Sequence, residues 1–191
     1  MDAGAIARVH VRSWQAGYRG QLPDELLDSL NATDRVARWE AEIEAAEWPG
    51  RGTLLIEDHD ARVAGFAHLV PSRDGDDGPD STGEIASFYI DPTSWGQGLG
   101  SRLMHSALAE LGSAYRTGTL WVLETNNPGP GLLRGHRLGS RRPRQGRPDG
   151  RSHDSSLALS ARATSTLPRP SSPASAALRR HLRHPPQGSH F

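Results

Sequence analysis

Between Trp95 and Ser101 the chain reads Trp-Gly-Gln-Gly-Leu-Gly-Ser, with glycines at alternate positions. Glu84 to Ile90 before them are rich in the β-branched and aromatic residues that suit a pleated surface, and Asp91-Pro92 closes that run because proline donates nothing to a ladder. After them Leu99, Leu103, Leu108 and Leu111, with Met104 and Ala107, recur near helical spacing until Gly112. The glycines therefore stand where a strand turns into a helix. The first N–H groups of a helix have no partner within it and carry the positive end of its dipole, while residues without side chains let an anion come close to the backbone. The chemistry these residues offer is an anion cradle, most simply for a pyrophosphate.

Two common cradles do not fit. A dinucleotide fingerprint needs glycine three residues after its second one, where this chain has Ser101, and no dinucleotide-type βαβ repeat surrounds it. A nucleoside triphosphate loop needs a lysine, and the chain has none.

The pattern instead resembles the GNAT superfamily of N-acetyltransferases, whose motif is Gln/Arg-x-x-Gly-x-Gly/Ala opening a helix after a strand. Gly98 and Gly100 match it; Trp95 stands at the Gln/Arg position, which changes a side-chain contact and leaves the backbone cradle. Thr119-Leu120-Trp121-Val122-Leu123-Glu124-Thr125-Asn126 looks like the next strand of that family with its terminal Asn. The resemblance implies an acyl-CoA N-acyltransferase fold, mixed α/β with helices flanking a sheet that opens in a V at the cradle. It implies transfer of the acetyl group of acetyl-CoA to a primary amine of a small molecule or protein, with no metal.

Carried onto this chain, the resemblance assigns roles. Backbone groups of Phe88, Tyr89 and Ile90 would pair with the pantetheine arm, one N–H facing the developing oxyanion. The amides of Gly96, Gln97, Gly98, Leu99, Gly100 and Ser101 would hold the pyrophosphate, and Asn126 would touch the cofactor arm. Glu84 falls where family members often carry a base, acting directly or through water with its pKa raised by burial; the alternative is an ordinary strand-start carboxylate. Glu124 is a second candidate. Tyr18 and Arg19 fall at the bend between the first two helices, which in the family lines the acceptor site.

The elements that must position these residues follow from pattern. Asp2 can cap a helix with Ile6, Val9, Trp14 and Tyr18 along one face. Pro23 suits the start of a second helix, and Thr33 caps a third whose Val36, Trp39 and Ile43 point inward. Trp14 and Trp39 read as core. Thr53 to Glu57 and Arg62 to Val70 flank a polar turn and read as an antiparallel hairpin. The loop of Asp74, Asp76, Asp77 and Asp80 reads as solvated, with attraction of a cationic amine as the alternative. His105 reads as a surface residue.

Composition divides the chain of 191 residues. Residues 1–127 hold 20 of the 22 acidic side chains and 10 of the 22 basic ones; residues 128–191 hold the remaining 2 and 12. We take 1–127 as the acetyltransferase domain and 128–191 as a tail. The tail has no Val, Ile, Met, Trp or Tyr, and its nine prolines and ten serines lie among arginines, so disorder is its expected state. With no cysteine, a disulfide framework and thiolate metal sites are excluded. No run of about 18 apolar residues argues for a membrane span, and the N-terminus has no apolar signal region, so the expected location is the cytoplasm. The expected partners are acetyl-CoA and an amine, with a homodimer as a candidate assembly. Nucleic-acid binding by the arginines is disfavoured, because no aromatic residues accompany them for base stacking.

The fold so implied is incomplete. The family begins with a strand before the first helix, absent here, which would leave an edge exposed on the neighbouring strand. After the terminal Asn it continues with a helix carrying Ala-x-x-x-Tyr, whose tyrosine protonates the CoA thiolate, and two strands. Here Pro128 to Gly139 do not match and no tyrosine follows Tyr115. Written with the codons GGC CTT CTA CGA GGG CAT CGG CTG GG, Gly131 to Gly139 read one base later as Ala-Phe-Tyr-Glu-Gly-Ile-Gly-Trp, which looks like the missing helix. A frameshift near Asn127 would account for the tail. The alternative functions are a catalytically impaired remnant that binds CoA, or a sensor module.

Overall fold

The computed structural model describes residues 2–74, 78, 80–122, 139–141, 161–166 and 178–180. Helix α1 (Ala3–Gly17) starts where the Asp2 carboxylate accepts from the Ala5 N–H at 2.9 Å. Helix α2 (Asp24–Asp28) follows Pro23, which precedes the first helical residue. Helix α3 (Thr33–Glu44) differs from expectation at its start. Thr33 is its first helical residue and Ala32 its N-cap, without a side-chain cap; Asn31 Oδ1, one residue earlier, accepts from the Thr33 N–H at 2.9 Å.

Strands β1 (Gly52–Glu57) and β2 (Val63–Pro71) form the expected antiparallel hairpin. Its turn brings Asp58, His59 and Asp60 together, and Asp58 Oδ1 already accepts from the N–H groups of Asp60 and Arg62, both at 2.9 Å. Strand β3 (Thr82–Ile90) runs antiparallel to β2 and parallel to β4 (Thr117–Val122), across helix α4 (Leu99–Ala114). Helix α4 continues past the stop expected at Gly112, to Ala114.

The sheet buries two layers. On one face Leu54, Ile56, Ala67, Leu69, Ile85 and Leu120 pack against Leu103, Met104, Ala107 and Leu111 of α4. On the other, Leu55 and Phe66 meet Ile6 and Val9 of α1 and Trp39 of α3, which is 1% exposed. The alternation of Leu54, Leu55 and Ile56 between these layers is the two-residue repeat of a strand covered on both sides.

Three short tail segments join the sheet. β5 (Gly139–Arg141) pairs with β6 (Ala161–Thr166), which runs antiparallel to β4 along its whole length, and β7 (Leu178–Arg180) covers Leu54 to Ile56 of β1. The strand order is β5-β6-β4-β3-β2-β1-β7. The edge of β1, expected to be open, is therefore paired there. Ladder pairing uses main-chain groups, so an open edge accepts an extended segment whatever its side-chain pattern. Leu123, Glu124 and Asn126, and the rest of the tail, lie outside the described residues. Among the described residues, no helix is long and apolar enough to cross a membrane.

Candidate active site

The parallel pairing of β3 with β4 runs only from Thr82 opposite Thr117 to Ile85 opposite Leu120. Beyond it β4 continues against β6, and β3 continues against β2, so the two strands part. A β-bulge marks the place. His68 pairs with Ser87 and Leu69 with Ile85, which leaves Ala86 as an extra residue. The extra residue also resets which face each side chain takes. Ile85 and Phe88, three apart, both pack on the α4 side, with Ile90, while Tyr89 packs on the α1 side.

Past the bulge the hydrogen bonds of β3 can be apportioned. The Asp91 N–H donates to Ala64 O at 2.8 Å, so the alternation of an antiparallel ladder turns the backbone of Tyr89 toward β2 and that of Phe88 and Ile90 away from it. Ile90 O accordingly accepts from two side chains, Ser13 Oγ at 2.9 Å and Trp95 Nε1 at 2.7 Å. Of the three residues assigned to the cofactor arm, Phe88 and Ile90 thus turn backbone groups toward the opening. Tyr89 presents its side chain instead: its hydroxyl accepts from Trp14 Nε1 at 2.8 Å, and its ring stacks on His10 at 4.8 Å.

The cradle lies immediately downstream. A single 3-10 turn (Pro92–Ser94) follows β3, capped by the Asp91 carboxylate, which accepts from the Thr93 N–H. Gly96 and Gly98 then take φ of +76° and +75°, and a Cβ on either would meet open space, so the left-handed backbone and not crowding calls for glycine. Along α4 the first amide with a carbonyl partner is that of Arg102, to Gly98 O at 3.2 Å. Among the described residues, the amides of Gly96, Gln97, Gly98, Leu99, Gly100 and Ser101 meet no acceptor, and residues 95–98 are exposed. These donors stand at the positive end of a sixteen-residue helix, beside the parted strands. Trp95 is 45% exposed, yet its indole N–H is bound to Ile90, which ties the cradle to the end of β3.

Glu84 lies at the vertex, opposite Thr119 in the last paired turn of the two strands, and is 2% exposed. Its carboxylate is engaged on both oxygens by Arg73, from Nη2 at 3.0 Å and from the backbone N–H at 3.3 Å. Arg73 carries no signal in the sequence, where it is one arginine in a polar loop upstream of the strand.

Tyr18 and Arg19 sit together at the end of α1. The Tyr18 ring packs edge-on to Trp14 at 5.1 Å, and burial raises its hydroxyl above the usual phenol pKa, opposed by its hydrogen bond with Tyr89. Arg19 reaches over to α2, with Nη1 3.1 Å from Asp24 and Nη2 2.8 Å from Asp28. Trp14 proves to be both core, as expected, and the donor that orients Tyr89.

Known proteins resemble this chain in sequence and in fold. The chain is 30% identical over 126 residues to an uncharacterized N-acetyltransferase of Bacillus subtilis (strain 168), YuaI, covering 65% of this chain and 68% of that one. It is 33% identical over 108 residues to the mycothiol acetyltransferase of Nocardia farcinica (strain IFM 10152), covering 54% of this chain and a third, 33%, of the other. The fold matches that of the PaiA N-acetyltransferase from Thermoplasma acidophilum, solved in complex with coenzyme A, at a TM-score of 0.62 and 13% identity over 87% of this chain and 93% of the other. The profile of the acetyltransferase (GNAT) family matches residues 14–139, a span that takes in the parted strands and the whole cradle. On these grounds the chain belongs to the acetyltransferase (GNAT) family of acyl-transferring enzymes, for which acetyl-CoA is the cosubstrate.

Proposed function

We infer that this chain transfers the acetyl group of acetyl-CoA to a primary amine. The observation that carries the reading is the row of unpartnered amides from Gly96 to Ser101 opening beside strands that have parted at Ala86. With the diphosphate on those amides, the pantetheine arm would run along the free edge of β3 and pair with backbone groups of Phe88 and Ile90. The amine nitrogen then attacks the thioester carbonyl, an N–H on that edge stabilises the oxyanion, the C–S bond breaks, and the amine proton leaves to a base. Glu84 is the candidate base, acting through water once Arg73 releases one of its oxygens; Asn126 would steady the cofactor arm. Calorimetry with CoA, followed by detection of the thiol released from acetyl-CoA with a panel of amines, tests the reading: no binding of CoA removes it.

A second reading has its own support. No tyrosine follows Tyr115, so the proton donor that the resemblance implies for the departing thiolate is not in this sequence. On that ground we expect turnover to be weak and CoA binding to persist. Turnover comparable to that of a relative with the tyrosine would remove this second reading.

A further inference from the structure

Arg12, Gln15, Ala16 and Arg19 follow one another at i, i+3, i+4 and i+7 along one face of α1 and its C-terminal end, and with Pro92 they line an open groove of about 470 Å³. This face is turned away from the layer that α1 buries. The groove borders the end of β3, because Ser13 and Trp14 of the same helix bind Ile90 and Tyr89. It lies on the α1 side of the sheet, whereas the cradle begins α4, which packs on the other side. A thioester held between the parted strands is therefore approached by its cofactor from one face and overlooked by this groove on the other.

Two guanidinium groups face the groove. Arg12 Nη2 lies 3.3 Å from Asp91 Oδ1, an oxygen that also accepts from Thr93 Oγ1 at 2.6 Å, and Arg19 bridges Asp24 and Asp28. Both arginine side chains are about half exposed, at 52% and 46%. Asp91 is 7% exposed, so its pair with Arg12 stays and fixes that guanidinium with part of its fork in the groove, while the exposed pairs of Arg19 with Asp24 and Asp28 contribute little energy and can exchange with a ligand anion. A guanidinium offers five donors in a planar fork that matches a carboxylate, and Gln15 between the two is held in place by donating to Leu27 O at 3.1 Å.

We propose that this groove binds a carboxylate on the acceptor, so that the substrate class is an amine that also carries a carboxylate, as an amino acid does. This rests on the acetyl-transfer reading above. The test uses the full chain and pairs of acceptors that differ only in a carboxylate against its carboxamide, read by calorimetry on the CoA-loaded chain for affinity and by thiol release from acetyl-CoA for turnover. The acids are expected to bind about tenfold more tightly than the amides, and the Arg12→Gln, Arg19→Gln double variant to bring the two to near parity with CoA affinity unchanged. Equal affinity for acid and amide overturns this proposal and leaves the acetyl-transfer reading standing. A double variant that instead loses discrimination between CoA and dephospho-CoA also overturns it, by assigning the groove to the cofactor's 3′-phosphate. Failure of CoA to bind the parent chain overturns the acetyl-transfer reading itself and this proposal with it.

Discussion

His68 Nε2 lies 3.3 Å from Glu42 Oε2, joining the middle of β2 to the last turn of α3, while His68 Nδ1 lies 2.9 Å from Thr53 Oγ1 on β1. Arg51 reaches the same Glu42 oxygen at 3.4 Å. One carboxylate thus gathers a helix and two strands beneath Trp39, whose ring lies edge-on to His68 at 5.6 Å. The hydrogen bond from His68, and then the charges of His68 and Arg51, hold the Glu42 carboxyl down to about 2, against desolvation that would raise it. A carboxyl depressed on folding stabilises the native state above its unfolded pKa and stops doing so as pH falls through the folded value. The melting temperature should therefore fall as pH drops from 4.5 toward 2, and Glu42→Gln should flatten that part of the profile. Thermal melts of both proteins over the range check it; parallel profiles would show that other carboxyls govern acid unfolding.

Gly98 tests the cradle. Its φ is +75° and a Cβ there would stand in open space, so alanine would be strained without colliding with anything. We expect Gly98→Ala to cost about 1–2 kcal/mol in urea unfolding. Its effect on CoA affinity should exceed that on stability in proportion, since the strained backbone carries the donors. Unchanged CoA affinity in a folded variant would detach the cradle from CoA.

Glu84 is open to a kinetic distinction. As a base it should leave Glu84→Gln with kcat lower by on the order of 10²-fold and CoA affinity unchanged. As a strut for Arg73 it should instead lower the melting temperature and change kcat little. Arg73→Gln adds a check, because it removes the guanidinium from one carboxylate oxygen and leaves the backbone N–H on the other: turnover should hold or rise if Glu84 is the base.

The tail makes a prediction about the gene. If Pro128 onward is read in a shifted frame, nucleotide reads across codons 120 to 140 should differ from the present sequence by one base, and the repaired chain should gain a tyrosine after Asn127. The repaired chain should also turn over acetyl-CoA faster than this one. An intact frame reproduced in independent reads would dispose of the idea.

Much of the site was legible in the residues alone. The strand from Glu84, the stop at Asp91-Pro92, the alternate glycines and the leucine spacing of α4 each report a local backbone preference, and local preferences survive being read one segment at a time. Hence the glycine loop lies where the pattern puts it, with its amides unpartnered among the described residues. The cap expected at Thr33 is absent because the chain enters α3 one residue earlier, so that Thr33 is already helical and Ala32, with no side-chain acceptor, takes the N-cap position.

What the amino-acid order determined by itself was the run of elements from α1 to β4 and the glycine loop that opens α4, since both depend on spacing within a few residues. Only the tertiary structure decided that Ala86 is the extra residue in β3. Nothing in an alanine side chain announces a bulge; it arises from the register of β2 against β3, where His68 meets Ser87 and Leu69 meets Ile85. That register parts the strands, turns Tyr89 toward Trp14, and sets Glu84 against Arg73. Each of these relationships joins residues that the backbone keeps apart until the sheet is formed, and so no local pattern could have carried them.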